Sequence, residues 1–137
     1  MDIGGGQPVG LISYMRTDST TLSKEAITDI FSYLSENHPG LASDDKRVYK
    51  SKSKNAQEAH EAIRPTSMSN TPNKVKKFLE DNDFKVYDLI WKRTLASQMS
   101  PSVNLETTYF IKSKNFLLKA SGSIEKFSGC LLYTSDA

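Results

Sequence analysis

Eight consecutive residues, Ser13-Tyr-Met-Arg-Thr-Asp-Ser-Thr20, carry a phenol, a guanidinium, a carboxylate and four aliphatic hydroxyls. Tyr14 and Arg16 are the pair that could do chemistry. A phenolate is an oxygen nucleophile, and a guanidinium two positions on can hold a phosphate bidentately beside it. Attack of a tyrosine on a phosphodiester needs that combination. A phenol ordinarily titrates near pH ~10, so ionising one at pH 7 costs about 4 kcal/mol unless a cation helps. The same residue types also suit a buried structural tyrosine with a solvated arginine. On chemistry alone, that bland arrangement is the commoner one.

A nucleophile needs a rigid support, so the flanking elements matter. Leu11 to Tyr14 is expected as a short strand, with Tyr14 at its step into a turn. Ser23 is the best-placed helix cap among the hydroxyls of 19–23, with Glu25 in the first turn. Ala26, Ile27, Ile30, Phe31 and Leu34 then recur at helical spacing. That helix should end near Asn37, because Pro39-Gly40 cannot continue it. Residues 41–55 are polar and aperiodic, a loop with at most a short strand at Val48-Tyr49. Ala56 to Ile63 could form a helical turn or two before Pro65 forces Arg64 into an extended conformation.

A short helix is expected over 74–80, with Pro72 near its start and Val75, Phe78 and Leu79 on one face. A longer one is expected over 84–99, where Tyr87, Ile90, Trp91, Thr94, Leu95 and Gln98 or Met99 form an apolar stripe. Trp91 reads there as a core anchor, with base stacking the minor alternative. Pro101 marks a boundary, and the period changes to two beyond it. Strands are expected over 105–112, 116–121 and 124–127, turning at 113–115 and at Gly122-Ser123. The fold class is α+β, a mostly helical part followed by an antiparallel meander.

The 137 residues suffice for one ordinary domain with its own core. Apolar runs are far too short for a membrane helix. Residues 1–9 have no basic cluster of the kind that opens a signal peptide. A net charge of +2 is too weak to announce nucleic-acid binding. The local pattern says more: Lys46, Arg47, Lys50, Lys52 and Lys54 form a run without a carboxylate, either a phosphate-facing strip or a solvated basic loop. The single Cys130 excludes an internal disulfide and a multi-cysteine zinc site. His60, taken alone, suits a surface or core position better than a catalytic one.

Gly10-Leu-Ile-Ser-Tyr-Met-Arg-Thr-Asp-Ser-Thr20 closely resembles the active-site tyrosine motif of type IA DNA topoisomerases. Arg47-Val-Tyr-Lys-Ser-Lys-Ser-Lys-Asn-Ala-Gln-Glu-Ala-His-Glu-Ala-Ile-Arg-Pro-Thr66 resembles a second motif of that family. Tyr87-Asp-Leu-Ile-Trp-Lys-Arg-Thr-Leu-Ala-Ser-Gln-Met99 is similar to the helix that follows there. Met15 after the tyrosine resembles the bacterial topoisomerase I branch. The resemblance is expected to stop at Gly129. Beyond it, Cys130-Leu-Leu-Tyr-Thr-Ser-Asp-Ala137 reads as the translation of a common transposon-based sequencing adapter, so these residues are set aside as a tail.

The resemblance implies an enzyme that breaks one DNA strand through a 5′-phosphotyrosyl link, passes a strand and religates, relaxing negative supercoils without ATP. It implies Tyr14 as nucleophile, with Arg16 and His60 beside the cleaved phosphate. Ser13, Thr17, Asp18, Lys50, Lys52, Lys54 and Arg64 become candidate DNA contacts, with Thr17 and Asp18 also fixing the turn. It implies a winged-helix, CAP-like tyrosine domain over 1–100 lacking its N-terminal part, and the start of a β strap over 101–129. The family's magnesium is held by a Toprim domain with Glu and Asp-x-Asp motifs, and Asp44-Asp45 and Asp81-Asn82-Asp83 here are expected as helix-flanking or solvated carboxylates without that context. Hence no metal ligands are assigned, and the chain alone is expected to be inactive. Partners would be single-stranded or negatively supercoiled DNA, with no membrane, in a cytoplasmic, nucleoid-associated monomer. A non-catalytic DNA-binding module is the alternative. A tyrosine recombinase would need separated Arg and His residues in a different pattern, and the basic strip beside two such motifs argues against a purely structural piece.

Overall fold

The computed structural model describes residues 8–17, 19–49 and 60–133. Helix α1 spans Lys24–Asn37 and is capped as its sequence demands: Ser23 Oγ accepts the Ala26 N–H at 3.1 Å. It closes at His38, whose N–H reaches Leu34 O at 2.7 Å just before Pro39. The expected short helix begins earlier, as α2 over Pro72–Val75 with Pro72 at its first position, and tightens into a 3-10 turn over Lys76–Phe78. Helix α3 spans Asp81–Ser97, starting three residues before and ending two residues before the expected 84–99. Extended Glu80 opens it, and Asp81 and Asp83 place negative charge at the positive end of the helix dipole.

The core lies between α1 and α3. Ile30 and Leu34 meet Trp91, Leu95 and Tyr87, with Met68, Val75 and Met99 closing the sides. Burying each large apolar side chain contributes about 1.5–3 kcal/mol, so this cluster carries most of the stability of the helical part. Trp91 is the anchor its spacing predicts. Its Nε1–H donates to Met68 O at 3.2 Å, and its ring stands edge-on to Tyr33 at 5.5 Å. The Tyr87 hydroxyl donates to Asn70 O at 2.6 Å, and burial pushes its phenol up to about 12. Burial, and then neighbouring Tyr133, also raises the Tyr33 phenol.

Beyond Pro101 stands one long hairpin, β1 over Val103–Ser113 and β2 over Phe116–Phe127, antiparallel and joined through Lys114 at φ 50°. The expected turn at Gly122-Ser123 does not form. Those two residues pair with Thr107 and Glu106, and Gly122 has no positive φ, so the strand continues through them. The meander is therefore two-stranded among the described residues. Facing pairs put Leu105, Tyr109, Ile111, Leu118 and Ile124 on one face, all exposed.

After the hairpin, Gly129 turns at φ 51° into a 3-10 turn over Gly129–Tyr133. A Cβ there would lie 2.5 Å from the Ser100 and Pro101 carbonyl oxygens, so only glycine fits. Cys130 and Tyr133, set aside on sequence, pack against the core. The Tyr133 ring lies 6.3 Å from Trp91, and its hydroxyl is 3.2 Å from His38 Nε2.

Candidate active site

The two motif segments are stitched together by an antiparallel bridge between Ile12 and Pro65. Ser13 N–H donates to Arg64 O at 2.8 Å, and Thr66 N–H donates to Leu11 O at 3.0 Å. Pro65 occupies a non-hydrogen-bonded position of this pair, so its missing N–H costs nothing. The expected strand over 11–14 goes no further for a local reason. The Arg64 N–H donates to Ser13 Oγ at 3.0 Å, and that hydroxyl passes its own proton to Ala62 O at 3.1 Å. A side chain thus takes the acceptor place that the ladder would need from a carbonyl.

Tyr14 follows directly and projects into solvent, 78% exposed. The buried structural tyrosine is thereby excluded. The Arg16 N–H folds back onto Tyr14 O at 2.9 Å, a tight turn with exposed Met15 at its tip. Arg16 and Thr17 then line a solvent-open cavity of about 450 Å³, shared with Ala62 and Ile63 of the second motif and with one face of α3. His60 is half-buried two residues before Ala62, so its segment runs beside that of Tyr14. Asp18, Lys50, Lys52 and Lys54 lie outside the described residues, as does the first half of the expected helical turn over 56–63; residues 60–63 are not helical.

Arg64 is held inward. Its Nε and Nη2 meet the two Glu61 carboxylate oxygens at 2.7 and 3.1 Å, and Nη1 donates to its neighbour's carbonyl, Pro65 O, at 3.0 Å. Glu61 Oε1 also accepts the Ser23 N–H at 2.9 Å, and Ala62 N–H donates to Thr21 O at 2.8 Å. Partial burial would raise the Glu61 carboxyl. The hydrogen bonds from Arg64 and Ser23, with the Arg64 charge, outweigh it and hold the group below its usual value. Arg64 thus positions the second motif against the start of α1.

The start of the basic run is fixed by a polar residue at the end of the α3 stripe. Gln98 is fully buried; its Oε1 accepts the Arg47 N–H at 3.0 Å and its Nε2 donates to Arg47 O at 2.9 Å. An amide side chain here replaces a strand neighbour. No strand forms at Val48-Tyr49; the Tyr49 hydroxyl instead donates to Ser97 O at 2.9 Å. A second bridge, Ala42 to Met99, completes the tie to the end of α3. A polar residue on a buried helix face was the available sign for Gln98, and the Glu61/Arg64 spacing was the sign for the ion pair. Among the described residues no three His, Cys, Asp or Glu side chains gather as a metal-binding group. No helix there is long and apolar enough to cross a membrane.

Fold and site together define an α+β protein that presents an exposed tyrosine from a doubly tied segment. A DNA topoisomerase family model matches residues 7–136, running past Gly129. The chain is 46% identical over 128 residues to DNA topoisomerase 1 of Rickettsia felis, covering 91% of this chain and 16% of that protein. With DNA topoisomerase 1 of Xylella fastidiosa it shares 43% over 131 residues, 94% of this chain and 16% of that protein. The full-length topoisomerase I structure from Thermotoga maritima matches with a TM-score of 0.74 at 33% identity, covering 92% of this chain and 20% of that one. The chain belongs to the bacterial type IA DNA topoisomerase family. It spans about one sixth of the length of these curated relatives.

Proposed function

We propose that this chain supplies the nucleophilic half of an enzyme that cuts and reseals one strand of DNA. The Tyr14 hydroxyl oxygen attacks a backbone phosphorus. The Tyr–O–P bond forms as the P–O3′ bond breaks, leaving a 5′-phosphotyrosyl link and a free 3′-hydroxyl. The ester retains the bond energy, so the 3′-hydroxyl reverses the step without ATP, relaxing negative supercoils. Arg16 stabilises charge on the phosphoryl oxygens, and His60 hydrogen-bonds the cleaved strand or moves a proton beside it. Thr17 and Asp18 set the turn that aims Arg16, while Lys50, Lys52 and Lys54 follow the DNA backbone. Ser13 and Arg64 enter this reading as positioning residues, because their polar atoms already hold the two motifs together.

The observation that carries the reading is the exposed phenol of Tyr14 on a segment fixed by Ser13 to Ala62 and Arg64. The described residues gather no group of three His, Cys, Asp or Glu side chains that could hold magnesium. In this proposal the metal and its carboxylates come from a Toprim domain outside the 137 residues, so the chain alone binds single-stranded DNA without cutting it. Residues 1–100 then form the winged-helix, CAP-like tyrosine domain, and 101–129 begin the β strap; the family match running to residue 136 speaks against the adapter-derived tail expected over 130–137. The whole enzyme acts as a cytoplasmic monomer.

The test joins the segment to the remaining length of a relative and incubates it with end-labelled single-stranded DNA and magnesium. Denaturant traps the covalent adduct for a gel. The Tyr14 enzyme forms it, and Tyr14→Phe binds DNA without forming it. Adduct from Tyr14→Phe refutes the nucleophile. No adduct from the Tyr14 enzyme favours a non-catalytic DNA-binding module instead.

A further inference from the structure

The cavity beside Arg16 has more than one wall. Along α3, Leu89, Arg93 and Ser97 recur every four residues and line it together with Ile90 and Thr94. The Leu89, Arg93 and Ser97 positions turn away from the buried Tyr87–Trp91–Leu95 stripe, while Thr94 borders it. Arg93 is exposed and has no ion-pair partner among the described residues. Two guanidinium-bearing residues, Arg16 and Arg93, therefore line one cleft, and among the described residues no carboxylate lines it. Such a cleft selects an anion. Most of its remaining surface is apolar or aromatic, from Leu22, Ile63, Leu89, Ile90 and Tyr49, with several Ser and Thr side chains among them, which suits a flat, largely apolar body attached to that anion.

Tyr49 makes the platform rigid. Its hydroxyl is tethered to Ser97 O at 2.9 Å, and its backbone follows the Arg47 segment pinned by Gln98. A ring held at both ends stacks on a base without first losing its own rotational freedom. The volume of about 450 Å³ falls in the range of small-ligand pockets, roughly 300–1,000 Å³.

We propose that this cleft is a nucleotide subsite for single-stranded DNA, in which Arg93 takes a backbone phosphate and Tyr49 stacks a base next to the strand offered to Tyr14. The assignment rests on the reading that Tyr14 acts on DNA. Arg93 sets the strand's path, and Tyr49 with Leu89 and Ile90 holds one unstacked base.

The test uses the whole 137-residue chain and a fluorescein-labelled oligothymidylate, followed by anisotropy across a salt series. Arg93→Ala loses one phosphate contact, so the slope of log affinity against log salt shallows by about 0.7. Arg93→Lys keeps the slope. Tyr49→Ala weakens binding roughly tenfold at every salt concentration with the slope unchanged, the mark of a stacking contact. Tyr49→Phe keeps the ring and loses the tether, so it falls between wild type and Tyr49→Ala. Trp91 fluorescence and a thermal melt check that each variant is folded. An unchanged slope in Arg93→Ala together with affinity within twofold in Tyr49→Ala overturns the subsite, as does absence of binding by the wild-type chain. Failure of the Tyr14 reading appears separately, as absence of adduct in the enlarged enzyme, whatever Arg93 and Tyr49 do here.

Discussion

Replacing Gln98 by methionine isolates what a buried amide contributes. Methionine keeps the length and unbranched shape of glutamine, so packing against Met99 and Leu95 is disturbed little. What disappears is the pair of hydrogen bonds to Arg47, at 3.0 and 2.9 Å. Each is worth about 1 kcal/mol net, and leaving a partly buried partner unmet raises the cost to about 1–3 kcal/mol. The loop can swing out and hydrate one of the two groups, so the expected loss is about 2–4 kcal/mol. For a domain of this size that lowers Tm by roughly 8–15 °C. The melt is read by far-ultraviolet circular dichroism, and hydrogen exchange at the Arg47 amide reports the local event. The Arg47 amide should change from protected to rapidly exchanging, while amides inside α3 slow or quicken only with global stability. Gln98→Glu should behave differently. Its carboxylate accepts the Arg47 N–H but faces the Arg47 carbonyl without a proton, so stability falls as pH rises and the buried acid ionises. A Tm within about 2 °C of wild type in Gln98→Met, with Arg47 still protected, would refute the claim that this amide anchors the basic run.

Glu61 has the opposite pH signature. Its carboxyl lies below the ordinary value of 4.5, so its stabilising effect is complete above that pH and is lost as pH falls through the folded-state value. An acid titration of stability should therefore steepen below pH 4.5 in wild type and flatten in Glu61→Gln; identical curves would remove Glu61 from the account. Trp91→Phe loses the 3.2 Å bond to Met68 O and part of a large buried surface, for about 2–3 kcal/mol by urea unfolding. Deleting residues 130–137 uncovers the Trp91 edge that Tyr133 contacts, so Tm should fall by roughly 5 °C, whereas an unchanged melt would mean this packing adds nothing. Leu105→Lys with Leu118→Lys should leave the Trp91 melt unshifted, because both residues are exposed on the hairpin; a Tm drop of more than about 2 °C would mean this face carries packing.

Much of this architecture is legible in residue order because the signals are local. Ser23 as cap, Pro39 as stop and the Trp91 stripe act within a few residues of themselves, and α1 and α3 follow. The tyrosine motif was legible for another reason: its residue types and order carry the family resemblance. The shape of the site was not. Nothing between Ser13 and Ala62 in sequence indicates that one hydroxyl will both receive Arg64 N–H and donate to Ala62, ending a strand that the apolar residues alone would continue. Gly122-Ser123 reads as a turn, yet the pairing partners Thr107 and Glu106 keep it extended, since cross-strand hydrogen bonds outweigh a weak local preference. Gln98 sits on a stripe whose period marks it as core, and only the arrival of Arg47 supplies the partners that let an amide be buried there. Arg93 is the same case in reverse: an exposed helix arginine in sequence, it becomes a cavity residue once Tyr49 and the Arg16 turn fold over that face of α3. Periodicity decides which face of an element is buried. Which polar atoms meet across distant segments is decided only when the chain closes, because each such contact needs both partners in place.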